Sequence, residues 1–424
     1  MRGLFILCAK ITKKSNNMKS LLISVYGCEP TKGSEAGVGW NWVLQMAKHN
    51  KLFIITRANN QELIEQHLPT DERKENIVFY YYDTPDFIKN LKHKAKGLYF
   101  YYFCWQIGII SVIKKILRGH KVDYTMHLTF GSMWMPTFLP YFRIPFIWGP
   151  IGGGDCEPKS FLKVLSLKQR ILQSGRYLLN VTTFLNPLVV IPSLKAKCII
   201  CRTNNTLKAI PWFCRKKAIV QLETAMEDAI FQYEIKEREG DKLRFISTGR
   251  LMPSKNILTA IRALSYLSKD LDFEYVIVGS GPQKEKIKKE AKKLGIYEKI
   301  KIIDEVSRVE VLNLLTISDI FLFPSLREGG SWALMEAMAI GLPVVCLDWA
   351  GMQIITDDNC AIRLPVTTPE QMPIDMANAI VRLLENSLLR KQMSRAGRER
   401  IKNVFNWDAK GMFMEDLLNR LDRE

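Results

Sequence analysis

Between Lys159 and Leu222 the chain has twelve lysines and arginines and no aspartate or glutamate. A second basic cluster, Lys89, Lys92, Lys94 and Lys96 followed by Lys114, Lys115, Arg118 and Lys121, brackets an apolar segment in the same half of a chain whose formal net charge is +18. Fields of one sign select anionic partners and leave three open: a membrane surface, a nucleic acid or an acidic substrate. No second Cys-x2-Cys accompanies Cys198 and Cys201, so the nine cysteines lack zinc spacing and are expected as reduced core residues of a cytoplasmic protein. The opening MRGLFILCAKITKKSNN has an apolar run of only about six residues, too short for a secretory signal. Residues 1–17 are therefore expected to be an unstructured extension or a misassigned start, since KSLLISVYG after Met18 reads as a first strand. The longest apolar run, Gly97 to Ile113, is seventeen residues, at the bottom of the range for a bilayer span. Its place between strand-like segments predicts a buried helix whose basic ends touch lipid headgroups. Internal repeats and low-complexity tracts are absent, and 424 residues with 47% hydrophobic content suit two domains with full cores.

The most informative stretch is Phe321 to Gly351, FLFPSLREGGSWALMEAMAIGLPVVCLDWAG. It reads as a strand (Ile320 to Phe323), a Glu-Gly-Gly loop, a helix from Ser331, a Gly-Leu-Pro stop and a second strand (Val344 to Leu347). Ser331 is the expected N-cap. The N–H groups of Gly330, Ser331 and Trp332 would then point out of the helix start toward an anion, with Gly329 and Gly330 allowing close approach. Glu328 and Glu336 frame the loop with seven residues between them. A helix rises about 7.5 Å from Ser331 to Glu336. The second carboxylate, expected as an exposed cleft group, then reaches hydroxyls beyond a phosphate held at the helix start. A nucleotide sugar has that layout; on spacing alone, a solvated acidic loop and an ordinary helix glutamate stay equally open.

The segment resembles the Glu-x7-Glu motif of glycosyltransferase family 4, retaining enzymes of the two-domain GT-B fold, with Gly330 and Ser331 where the family usually has Phe-Gly. Other phrases carry the likeness further. PTKGSEAGVGWNW follows the first strand (Leu21 to Tyr26) and precedes a helix expected from about Val38 to Lys48. It resembles a loop that closes over the donor diphosphate in a subset of the family, making Gly33, Gly37 and Gly39 the candidates for close backbone approach; a tight surface turn is the plainer alternative. Strands are expected at Leu52 to Thr56, Ile77 to Tyr82 and Tyr124 to Leu128. The last carries His127, which the resemblance places beside the donor sugar and which is otherwise a core or capping histidine. PFIWGPIGGG, residues 145–154, matches a WGPxGGG phrase and puts Gly152, Gly153 and Gly154 on the acceptor side.

After a charged linker, YEIKEREGDK, a strand from Phe245 leads into GRLMPSKNILTAIRAL, which resembles the Gly-Arg-x4-Lys element of the family. By that likeness Gly249, Arg250 and Lys255 hold the donor diphosphate, whose negative charge grows as the glycosidic bond breaks. Further strands are expected at Tyr275 to Gly281 and Lys299 to Asp304.

The expected architecture is α/β, two Rossmann-like doubly wound domains facing a cleft: residues 18–230 on the acceptor side, 241–396 on the nucleotide-sugar side, and 397–424 as a helix returning to the first domain. The resemblance implies a retaining glycosyltransferase in cell-envelope polysaccharide synthesis, with a UDP- or GDP-linked sugar as donor and a glycan or lipid-linked acceptor. Glu336 would take the ribose, Glu328 and the loop amides (Ser331 among them) the sugar, and His127 would lie near the reacting carbon. The transition state is expected to be oxocarbenium-like, with the leaving phosphate taking the acceptor's proton. No cofactor and no metal are expected; Asp83 to Asp86, DTPD, is not placed like a metal-binding Asp-x-Asp. The chain is expected in the cytoplasm, peripherally on the anionic inner face of the cell membrane, and not on nucleic acid, for which it lacks an aromatic RNA-binding signature. A same-fold phosphorylase, an inactive nucleotide-sugar-binding relative and a nucleic-acid-binding protein are the rival readings.

Overall fold

A computed structural model describes residues 18–93, 97–236 and 242–424. The extension 1–17, Lys94, Lys96 and the middle of the linker lie outside those residues.

The first sheet has the order β3-β2-β1-β4-β5-β6-β7, all pairs parallel. Its strands are β1 Lys19–Val25, β2 Asn50–Arg57, β3 Ile77–Tyr82, β4 Tyr124–Thr129, β5 Phe146–Ile151, β6 Ala196–Cys201 and β7 Ala218–Val220. The second runs β10-β9-β8-β11-β12-β13, also parallel, with β8 Leu243–Thr248, β9 Phe273–Val278, β10 Ile300–Ile303, β11 Ile320–Phe323, β12 Val344–Leu347 and β13 Ala361–Leu364. Apolar runs such as LFII, IFLF and VVCL form these strands because parallel sheets bury both faces. Strand order reverses at β1/β4 and at β8/β11. In open α/β sheets the crevice beyond the strand ends at such a reversal is where ligands bind. The fold is thus the two-domain α/β GT-B fold, and its two crevices lie at Val25–Gly33 with His127–Phe130, and at Gly249–Lys255 with Pro324–Ser331.

Eight helices matter to the site and its surroundings: α1 Ser34–Met46, α2 Gly97–Gly119, α3 Leu167–Val181, α4 Pro187–Lys195, α5 Ile257–Ser265, α6 Arg308–Thr316, α7 Trp332–Ile340 and α8 Trp407–Arg423. Helix α8 packs against the first sheet's half, with Trp407, Met414, Leu417 and Leu421 in one core with Trp42, Val43 and Ile23. The opposite face of that sheet is covered by α2 through Tyr101, Tyr102, Trp105 and Ile109. Helix α2 is long and apolar enough to cross a membrane by length and composition, yet one side is packed on the sheet while Tyr99 and Phe100 on the other are exposed. The expected buried helix is therefore buried on one face only.

Two local readings are corrected. Helix α1 begins at Ser34, four residues before the expected start, because glycines at 33, 37 and 39 read as a loop. Strand β6 was not expected at all. It accounts for the lone Cys-x2-Cys, since Cys198 and Cys201 enter the cores on opposite faces of the sheet and cannot share a ligand.

Candidate active site

Beyond β8 the chain turns at Gly249, whose φ of 130° is a conformation that glycine adopts without strain. Its N–H donates to Val278 O (2.9 Å), and a Cβ there would lie 3.8 Å from the Lys255 side chain. The Lys255 ammonium donates to Glu328 and lies 5.4 Å from the centre of the Phe323 ring. Glu328 also accepts from Ser325 Oγ (2.8 Å), and Leu326 N–H donates to Ser254 O (2.7 Å). The loops after β8 and β11 are thereby stitched together, joining a residue expected on the diphosphate to one expected on the sugar. Arg250, the residue after Gly249, is exposed.

Ser331 caps α7 as expected, its hydroxyl accepting from Leu334 N–H (3.4 Å). The first N–H groups of the helix have no acceptor within it, and its cap stands three residues after Glu328. Gly330 cannot carry a side chain here: a Cβ would meet Thr224 Oγ1 at 2.0 Å, which accounts for glycine where the resembled motif has phenylalanine. Gly329 is roomier, its nearest neighbour being Glu223 Oε1 at 3.7 Å.

Glu336 differs from the expected exposed cleft group. It is 7% exposed, and its Oε1 accepts from Arg308 Nε of α6 (2.8 Å). Burial pushes its carboxyl pKa up, and the bond and charge of Arg308 pull it back. Arg308 also reaches Glu227 (3.3 Å) and lies over the Trp332 ring. The spacing showed a carboxylate on a helix, but its cation lies twenty-eight residues away and meets it only in the folded chain.

Trp332 touches the cores of both halves. Across the cleft its ring lies 3.8 Å from where a Cβ on Gly33 would stand, so the starts of α1 and α7 face each other. Gly37 and Gly39 serve another purpose than ligand approach. A Cβ at Gly37 would stand 1.9 Å from Lys32 O, and one at Gly39 2.0 Å from Gly27 O, so both let α1 lie against the preceding loop and strand end. Gly39→Ala is expected to lower Tm by several degrees through overpacking of about 1–3 kcal/mol, whereas Gly33→Ala is expected to leave Tm within a degree; differential scanning fluorimetry of the two variants checks this.

On the first-sheet side the structure assembles a network the sequence did not reveal. Glu35 Oε1 accepts from Gly131 N–H (2.8 Å) and Arg202 (3.1 Å), and the other end of the Arg202 guanidinium pairs with Glu223 (3.4 Å). Burial alone would lower the Arg202 pKa, but Glu223 and Glu35 outweigh it and raise it. Asp155 accepts from Thr203 Oγ1 (2.8 Å), and burial, with the Glu223 charge, pushes its pKa up to about 6. Gly152 pairs with Ser132, and its N–H donates to Gly131 O (2.6 Å). Gly153 O accepts from Trp134 Nε1 (3.0 Å), and Gly154 O from Asn180 (2.8 Å). The Gly152–Gly154 loop thus lines this wall of the cleft. Asp83 is engaged elsewhere, accepting from the Tyr101 hydroxyl.

His127 lies at the end of β4, 1% exposed, with Nε2 3.5 Å from Phe130 O and a buried Nδ1 without a hydrogen-bond partner. Burial lowers its pKa from 6.5 to about 4. The imidazole is therefore neutral near pH 7. Between those values the unfolded chain binds a proton that the folded one does not, so the stability lost reaches about 3 kcal/mol by pH 4. His127→Gln is expected to flatten the fall of Tm between pH 6.5 and 4, read from melting curves across that range.

Residues 229–400 match the family model described as glycosyl transferases, group 1. An uncharacterized glycosyltransferase of Methanocaldococcus jannaschii is 30% identical over 207 residues, 47% of this chain and 50% of that protein. A UDP-Gal:alpha-D-GlcNAc-diphosphoundecaprenol alpha-1,3-galactosyltransferase of Escherichia coli is 31% identical over 169 residues, 38% of this chain and 41% of that one. The chain thus spans about half the length, or less, of the curated relatives it matches. Among solved structures, Anabaena Alr3699/HepE in complex with UDP and glucose superposes with a TM-score of 0.56 at 12% identity, over 95% of this chain and 100% of that one. The second half of the chain is therefore similar to group 1 glycosyl transferases, and the whole adopts the GT-B fold.

Proposed function

We propose that the protein is a retaining glycosyltransferase of family 4 that moves a sugar from a nucleotide diphosphate to a glycan or lipid-linked acceptor of envelope polysaccharide synthesis. The observation that carries this reading is the convergence of Lys255, Glu328 and the start of α7 at the second sheet's strand reversal, where exposed Arg250 follows Gly249. Two cations and unpaired helix N–H groups suit a diphosphate, and a carboxylate held against the lysine suits sugar hydroxyls. On binding, the diphosphate takes over Lys255 from Glu328, which releases that carboxylate to the sugar. Glu336, oriented by Arg308, accepts from the ribose. UDP is the favoured nucleotide, supported by the UDP complex of the Anabaena neighbour and the UDP-Gal in the name of the Escherichia coli relative; a GDP-sugar is the other candidate.

In the reaction the bond from the anomeric carbon to the phosphate oxygen breaks, and the acceptor oxygen attacks on the same face. Its proton passes to the leaving phosphate. Arg250 and Lys255 stabilise the charge gathering there, so the step needs no metal. In this reading neutral His127, buried within the opposite wall at β4, is the side chain assigned to the reacting carbon's side.

Thermal shift with a panel of UDP- and GDP-sugars, followed by release of nucleoside diphosphate without acceptor, tests the reading. A stabilising donor that is slowly hydrolysed is expected; stabilisation without any turnover would favour an inactive nucleotide-sugar-binding relative. Glu336→Ala is expected to weaken donor binding about tenfold or more and, because Arg308 loses its buried partner, to lower Tm as well. Calorimetry with unchanged donor affinity would remove Glu336 from the ribose.

A further inference from the structure

Helix α3 is amphipathic in the wrong sense for a globular protein. Its inward side is polar: Gln173 donates to Glu157 (2.9 Å), the Tyr177 hydroxyl to Glu157 O, and Asn180 to Gly154 O (2.8 Å). Its outward side carries Leu167, Ile171, Leu172, Leu178, Leu179 and Val181, each between 51% and 73% exposed. At 3.6 residues per turn these six share one side of the helix, opposite Gln173 and Asn180, with Arg170 and Arg176 at its two borders. The patch continues through Leu185 (69% exposed) to Leu194 at the end of α4, and Tyr99 at the start of α2 is close enough to Arg176 to interact with its charge. So large an exposed apolar surface marks a contact.

We infer that the outer face of α3, with the start of α4, lies in the headgroup region of an anionic lipid bilayer. Charge chooses this occupant over a protein. On the helix Lys168, Arg170 and Arg176 are all cationic and no acid occurs between Lys159 and Leu222, while before it Lys163 is paired with Glu370 (3.1 Å) and Lys159 lies over the Tyr177 ring. Three of the twelve cations of that run are therefore on the helix that carries the patch. Others are engaged within the fold, Arg202 in the cleft network and Lys217 donating to the carbonyls of Leu194 and Ala196. An in-plane helix with leucines down and arginines at the waterline matches this pattern. The same helix holds the acceptor wall of the cleft through Asn180 and Gly154, so membrane contact sets that wall beside the bilayer. That last consequence rests on the proposed glycosyltransferase reading; the lipid contact does not.

Co-sedimentation with vesicles of phosphatidylcholine alone and with 30% phosphatidylglycerol, run as a salt series beside analytical ultracentrifugation, tests the inference. The full chain is expected to bind the anionic vesicles at low salt and to be released at high salt. Ile171→Ser/Leu172→Ser/Leu178→Ser is expected to bind at least tenfold less, with unchanged Tm and unchanged release of nucleoside diphosphate in solution. Arg170→Gln/Arg176→Gln is expected to lose the preference for anionic vesicles. Absence of vesicle binding, equal binding by the triple variant, or a dimer that the triple variant breaks apart would each overturn it, whether or not the chain turns over a nucleotide sugar.

Discussion

Lys255→Ala and Arg250→Ala are each expected to lower kcat about a hundredfold or more while changing KM less, because the charge they face grows in the transition state. The two should differ in stability. Arg250 is exposed, and its loss should leave Tm unchanged. Lys255 is half-buried against Glu328 and Phe323, and removing it strands a carboxylate whose other partner is Ser325 Oγ. A Tm lower by a few degrees is expected for that variant alone, and Lys255→Ala/Glu328→Gln should recover the Tm but not kcat. If only KM rose, both cations would be uniform binders and the charge argument would fall.

Arg202→Met is expected to destabilise the chain by about 3 kcal/mol, because it leaves two carboxylates without their cation in the cleft wall. The lower end of the usual range applies, since the Arg202 side chain keeps 20% exposure. Glu223 is buried, and one of its oxygens is already without a hydrogen-bond partner, so losing the guanidinium removes the cation paired with it and leaves the Lys410 charge farther off. Lys410 itself donates to Leu222 O (2.8 Å), and burial lowers its pKa to about 7. Glu223→Gln in the Arg202→Met background should therefore restore part of the lost Tm. Additive losses in the double variant, measured by thermal melting at pH 7, would show that Arg202 and Glu223 do not act together.

The strand-loop-helix-strand unit around Glu328 and Glu336 was legible because each of its signals is local: an apolar strand, a serine cap and a glycine stop at 341 with φ 102°. The Lys255 loop was legible for the same reason. The cleft wall was not, because Glu35, Arg202 and Glu223 lie far apart in the chain and a count of charges cannot separate half-buried, paired Arg202 from exposed Lys168. Arg308 gave no signal beside Glu336, since nothing in spacing joins the start of α6 to the middle of α7. The start of helix α1 is hidden in the sequence because glycines signal a loop, although two of them are there for packing against the chain's own carbonyls. The acid-free run was visible as composition, but its division into engaged cations and an apolar, arginine-bordered face required the fold.

The account turns on a nucleoside diphosphate seated between Arg250, Lys255 and the start of α7, with Glu336 on its ribose. Isothermal titration calorimetry with UDP and with GDP, on the native chain and on Lys255→Ala and Glu336→Ala, measures that seat without knowledge of the sugar or the acceptor. One of the two nucleotides should bind the native chain with single-site stoichiometry, and each variant should bind it at least tenfold more weakly. Heat from neither nucleotide, or equal affinity in all three proteins, would contradict it.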